Sequence, residues 1–190
     1  MTGLTLMAPE LTAKRLELLR ELIPELRRVA IVFYPGHPGQ DIERAYPEKT
    51  AQRLGIALTY FPTNTSDDLH RALAAIAADP PQAISLFADG FAVQNRERIF
   101  DFTMSRRIPV ISGWPIFAES GALCTCSPDL AVSYRRLAYY VDRVLKGAKP
   151  LELPIEQPTK FQLVLNLRSA KKLGLTIPQT ILARADQVIE

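Results

Sequence analysis

The sequence has little of what demanding chemistry requires. Only two cysteines, two histidines and one tryptophan occur in 190 residues. Cys124 and Cys126 stand two apart in a run with strand character. Residues so spaced share a strand face with Cα atoms roughly 6.5 to 7 Å apart, at or beyond the reach of an unstrained disulfide. Two packed thiols are expected, and neither His37 nor His70 lies at a metal-ligand spacing from them, so no metal site is expected. No apolar run approaches the roughly 18 residues of a membrane-spanning helix. The opening Met-Thr-Gly-Leu-Thr-Leu-Met-Ala-Pro-Glu has neither the basic start nor the long apolar core of a signal peptide. An excess of one charge is missing too: 23 Lys and Arg are interspersed with 20 Asp and Glu for a net charge of +3, which argues against a nucleic-acid partner.

Catalytic and cofactor motifs are equally scarce. A dinucleotide fingerprint would need Gly-x-Gly-x-x-Gly after the first strand and an acid closing the second. The chain instead has Pro35-Gly-His-Pro-Gly39, and its second predicted strand ends in Phe61-Pro62. A phosphate-cradling Walker loop is absent, as are the acidic pair and lysine that would accompany Asp89 in a phospho-acceptor domain. No serine or cysteine stands in a Gly-x-Ser-x-Gly elbow that His37 could serve as base. No cofactor and no catalytic residue are expected.

What is present is a regular alternation. Val29 to Phe33 is an unbroken apolar run of strand length, as suits a strand covered on both faces of a parallel sheet. Glu10 to Ile23 before it sets Leu11, Leu16, Leu18, Leu19, Leu22 and Ile23 among charges, an amphipathic helix stopped by Pro24. After it come a helix over Asp41 to Leu54 kinked or delayed by Pro47, a strand over Ile56 to Phe61, and a helix capped within Thr65-Ser66-Asp67-Asp68. The alternation continues with a strand over Ala83 to Phe87, a helix over Val93 to Ser105, a strand over Pro109 to Ser112 and a turn over Ile116 to Ser120. A strand over Ala122 to Cys126 and a helix from Ser127-Pro128-Asp129 to Gly147 complete it.

About five such units define an α/β fold with a doubly wound parallel sheet, expected in the strand order 2-1-3-4-5. Ligands in such sheets bind beyond the carboxyl ends of the strands at the switch point. That places Tyr34 and His37 beside Asp89 and Gly90, with Ser112 and Trp114 in the next loop. The last forty residues depart from the pattern: a proline-marked connector from Pro150 to Lys160, a strand over Phe161 to Leu167, and helical segments over Arg168 to Leu173 and Pro178 to Ile189.

The wording of several segments is specific. Leu11-Thr-Ala-Lys-Arg-Leu-Glu-Leu-Leu-Arg-Glu-Leu-Ile-Pro24, Gly121-Ala-Leu-Cys-Thr-Cys-Ser-Pro-Asp129, Tyr140-Val-Asp-Arg-Val-Leu-Lys-Gly-Ala-Lys-Pro150 and the run from Glu156 to Pro178 resemble the ABC-transporter substrate-binding proteins of the aromatic amino acid and small-solute group. The resemblance implies one lobe, the C-terminal one, of a type I periplasmic-binding fold with an extra terminal helix and a strand-helix tail. Residues 1–25 would then link toward an absent N-terminal lobe, 26–150 form the Rossmann-like C-lobe, and 151–190 be crossover and tail toward the absent lobe. The chain would be a truncation of a longer protein or a single-lobe derivative. It further implies a non-enzymatic role: binding a small organic solute such as an amino acid between two lobes, with Tyr34, His37, Asp89, Gly90, Ser112 and Trp114 as ligand contacts and an ABC permease as partner. The setting would be periplasmic or membrane-anchored and extracytoplasmic. The family commonly has asparagine at Tyr34, Tyr-Pro-Ser at Ser112-Gly113-Trp114 and tyrosine at Cys126, so the solute is not implied. A cytoplasmic effector-sensing regulatory domain built on the same lobe is the alternative. An isolated lobe should leave the stripe of Glu10 to Ile23 and the strand Phe161 to Leu167 uncovered, so the chain by itself is expected to form a homodimer.

Overall fold

The computed structural model describes residues 2–36 and 40–190. The strands are β1 (Gly3–Leu4), β2 (Arg28–Phe33), β3 (Ala57–Pro62), β4 (Ala83–Leu86), β5 (Val110–Ser112), β6 (Cys124–Pro128), β7 (Ile155–Glu156), β8 (Phe161–Asn166) and β9 (Gln187–Ile189). The helices are α1 (Ala8–Leu22), α2 (Gln40–Leu54), α3 (Ser66–Ala78), α4 (Gly90–Gln94), α5 (Arg96–Ser105), α6 (Pro115–Ser120), α7 (Leu130–Leu145), α8 (Leu167–Leu173) and α9 (Gln179–Leu182).

Seven strands form one sheet in the order β3-β2-β4-β5-β6-β8-β9. The first five run parallel, in the order 2-1-3-4-5 counted along the repeating units. Their central members are apolar on both faces because both faces are covered: β2 is buried from Val29 to Phe33 and β4 throughout. On one face, Leu16, Leu18, Leu19 and Leu22 of α1 pack with Ala51 of α2 and with Ile177 and Ile181 from the tail. On the other, Leu69, Leu73 and Ile76 of α3, Ile99 and Phe100 of α5 and Phe117 of α6 close the second layer. α3 begins in a reciprocal cap: the Asp68 N–H donates to Thr65 Oγ1 at 3.1 Å and the Thr65 N–H donates to Asp68 Oδ2 at 3.0 Å.

Several sequence expectations change. The helix over Val93 to Ser105 begins earlier and is divided at Asn95, the C-cap of α4. Within the tail, β8 lies antiparallel to β6, Cys124 opposite Leu165, and extends the sheet. Its last stretch is helical for one turn only, after which Gln187–Ile189 pairs in parallel with β8. Pairing partners, which local periodicity does not report, decide that segment. Asn166 Nδ2 donates to the Ala118 carbonyl at 2.8 Å, and Arg184 meets Glu21 at 2.6 Å, fixing the tail to the body.

The stripe of α1 is likewise buried within the body rather than left open. The uncovered apolar surface belongs to α7, where Tyr134, Leu137, Val141, Val144 and Leu145 are exposed, and to Leu151 and Ile155 after it. α7 projects beside a separate two-stranded sheet of β1 and β7. It is held there by Arg136, whose Nε donates to Glu156 Oε2 at 2.7 Å, and by Tyr140, whose hydroxyl donates to the Pro154 carbonyl at 3.0 Å. Arg136 keeps the Glu156 carboxyl down at about 2, with Tyr140 acting in the same direction.

Candidate functional site

Because β2, β4, β5 and β6 are parallel, the residues following each emerge at one rim. There they enclose a cleft of about 340 Å³. Tyr34 follows β2; Ala88, Asp89 and Gly90 follow β4; Gly113 and Trp114 follow β5; Pro128 closes β6 and Leu130 opens α7. Leu6, Leu11 and Arg15 come from the segment entering and forming α1, and Glu43 from α2.

The sequence-expected residues divide. Tyr34, Asp89, Gly90 and Trp114 line this cleft together. His37 lies outside the described residues. Ser112 does not reach the cleft: it is buried in β5, where its Oγ donates to the Leu86 carbonyl at 2.7 Å across the strand pair. Asp89 spends one oxygen on the chain, Oδ1 accepting the Ala92 N–H at 2.7 Å as the N-cap of α4. Trp114 is half-buried and stacks on Phe117, ring centres 6.4 Å apart and planes 7° from parallel. Gly36 leaves room for the Tyr34 ring, which occupies the space a Cβ there would fill.

Two further residues were not among those expected. Arg15 is 2% exposed. Its Nε donates to the Leu11 carbonyl at 3.1 Å, and its Nη1 is buried with no hydrogen-bond partner. Burial pulls its pKa below the ordinary guanidinium value, while the negative potential of Glu43 opposes that pull. Glu43 is 6% exposed, and its backbone carbonyl accepts from Thr12 Oγ1 at 3.2 Å, tying α2 to α1 beside the cleft. Position carries the missed signal: Leu11, Arg15, Leu18, Leu19 and Leu22 follow helical i, i+4, i+7, i+8, i+11 spacing, which puts Arg15 on the buried face.

Both cysteines are free and buried, and burial raises both thiols. Cys124 and Cys126 therefore behave as packing residues of β6, as their spacing indicated. Among the described residues no group of three or more His, Cys, Asp or Glu side chains converges as metal ligands would. Among them, too, no helix is long and apolar enough to cross a membrane.

A largely parallel sheet with an aromatic-flanked cleft at its switch-point rim is an α/β arrangement of the kind that takes a small molecule at that rim. The sequence matches the family described as ABC transporter substrate binding protein over residues 1–189, and the chain belongs to that family. A search of curated proteins gives no match. Among solved structures, a conserved domain protein from Vibrio cholerae superposes with a TM-score of 0.89 at 27% identity, covering 98% of this chain and 62% of that one. An ABC domain from Streptococcus pneumoniae, solved in complex with L-Trp, gives 0.87 at 20% identity over 99% of this chain and 64% of that one. A 5-methylthioribose transporter solute-binding protein from Thermotoga lettingae gives 0.68 at 17% identity, with 86% and 55% covered. The chain spans less than two thirds of the length of these neighbours.

Proposed function

We propose that this chain supplies one wall of the solute cleft of an ABC importer, binding a small organic solute such as an amino acid for delivery to a membrane permease. In this reading the protein works outside the cytoplasmic membrane, and its contribution is selection and capture, with no bond made or broken. The observation that carries it is the meeting of Tyr34, Gly113 and Trp114 with the buried Arg15 at a single rim. An apolar, aromatic-walled recess with a few fixed polar groups is the usual composition of a small-molecule site. A second lobe would cover the cleft from above, resting on α7 and extending the β1–β7 pair.

Trp114 is the chain's only tryptophan, so its emission reports directly on occupancy. Titration with non-indole amino acids and with sugars should shift or quench that emission, with saturation in the millimolar range because one wall is exposed to water. A Trp114→Phe variant should lose the signal, while backbone amides around Ala88 to Gly90 still respond by NMR. No response from either probe across the whole set would overturn solute binding here; a micromolar constant from calorimetry would overturn the one-wall part alone. The open face of α7 leads to a second expectation, that the chain by itself associates as a homodimer through that helix. Light scattering should show a concentration-dependent dimer that the Val141→Glu, Leu145→Glu double variant abolishes, and a monomer at high concentration would refute it.

A further inference from the structure

We infer that Arg15 is the anchor for a carboxylate, so that the solute is an acid or zwitterion with an apolar body lying toward Tyr34 and Trp114. The inference rests on the solute-cleft reading above and narrows it to a chemical class.

Two observations point the same way. First, a charged fork buried to this degree ordinarily has its donors paired, since an unpaired buried charge is costly. Arg15 has one donor turned to the Leu11 carbonyl and Nη1 left without a partner, at the wall of a cleft large enough for a small molecule. Second, the wall opposite is cut back to make room for the guanidinium. A Cβ on Gly113 would lie 3.2 Å from Nη1, 3.3 Å from Cζ and 3.0 Å from the Ala88 Cβ. A side chain at 113 would make Ala88 and the guanidinium give by a few tenths of an ångström, so the loop after β5 and the helix α1 are closely fitted at this point. Glu43 acts on the guanidinium through space, and Nη1 is still without a hydrogen bond. A planar carboxylate matches the fork of a guanidinium in a way that a hydroxyl or a sugar ring does not. Arg15 lies on a long helix packed against the sheet, so the donor is held before the solute arrives and little ordering is needed on binding.

Isosteric pairs that differ only in charge provide the test: 3-phenylpropionate against 3-phenylpropionamide, and L-leucine against L-leucinamide, titrated into the whole chain. Trp114 emission and amide NMR are the readouts. The acids should bind about tenfold or more tightly than their amides, the scale of one charge-assisted hydrogen bond. In Arg15→Gln that ratio should collapse toward one while the amides keep their affinity; Arg15→Lys should fall between. If Arg15→Gln does not fold, the wild-type protein still decides the matter. The Arg15 Nε–H resonance must move on saturation with 3-phenylpropionate and stay in place with 3-phenylpropionamide. Acids and amides binding equally to wild type, or a preference that survives in Arg15→Gln, would overturn the assignment of Arg15 and leave the cleft standing. Failure of every probe and every solute above to perturb the cleft would remove the cleft reading and this inference with it.

Discussion

The seven-stranded body and the arm made of α7, β1 and β7 are built on opposite terms. The body covers its strands from both sides, and even its tail is stitched back to it by Asn166 and Arg184. The arm has a two-residue strand pair, one bidentate ion pair and a helix whose apolar side faces outward, with Leu145 82% exposed and Tyr134 67% exposed. Apolar area drives assembly only when it is removed from water, so the body has its apolar layers covered while the arm keeps apolar area exposed. The two should respond differently to the same kind of change.

Truncating Leu19, fully buried between α1 and the sheet, should cost about 2–5 kcal/mol by urea denaturation. The same truncation at Leu145 should stay within about 0.5 kcal/mol, and a comparable loss there would mean that the arm is already covered. Gly113→Ala should destabilise by about 1–3 kcal/mol through crowding of Arg15 and Ala88, with a displaced Arg15 Nε–H resonance as the accompanying sign. Thr65→Ala removes one half of the α3 cap and should cost about 1 kcal/mol, a loss confined to the body. The arm should answer to acid instead. Because Arg136 holds the Glu156 carboxyl near 2 against an ordinary 4.5, the ion pair's contribution to holding α7 on β7 is fully present above about pH 4.5 and is lost as pH falls through about 2. The protection factor of Thr5, whose amide donates to the Glu156 carbonyl, taken as exchange relative to the intrinsic rate at each pH, should fall over that window in wild type and hold steady in Glu156→Gln.

Much of the body could be read from residue order. Apolar runs of strand length, proline and glycine stops, and the acidic cap at Thr65 to Asp68 are local signals, and they give the βα units and the rim at which Tyr34, Asp89, Gly90 and Trp114 meet. What escaped depends on partners distant in sequence. Ser112 stands beside the cleft in sequence but spends its hydroxyl on Leu86 across the strand pair. Arg15 reads as one more surface cation beside Lys14, although its register with Leu11, Leu18 and Leu19 marks the buried face. Gln187–Ile189 becomes a strand only because β8 offers it an edge. The open apolar face fell on α7 rather than α1 because α2 and the tail cover α1, which only the assembled layers reveal.

The chain passes between arm and body three times: before α1, at Pro128 and Asp129, and at Lys160 before β8. The last two are fastened together, the Asp129 N–H donating to the Lys160 carbonyl at 2.9 Å, and the first turns on Met7, a non-glycine residue in left-handed geometry at φ 47°. Leu6, Pro128 and Leu130, which flank two of these crossings, also border the cleft. The residues that join arm to body are therefore in part the same residues that wall the cleft.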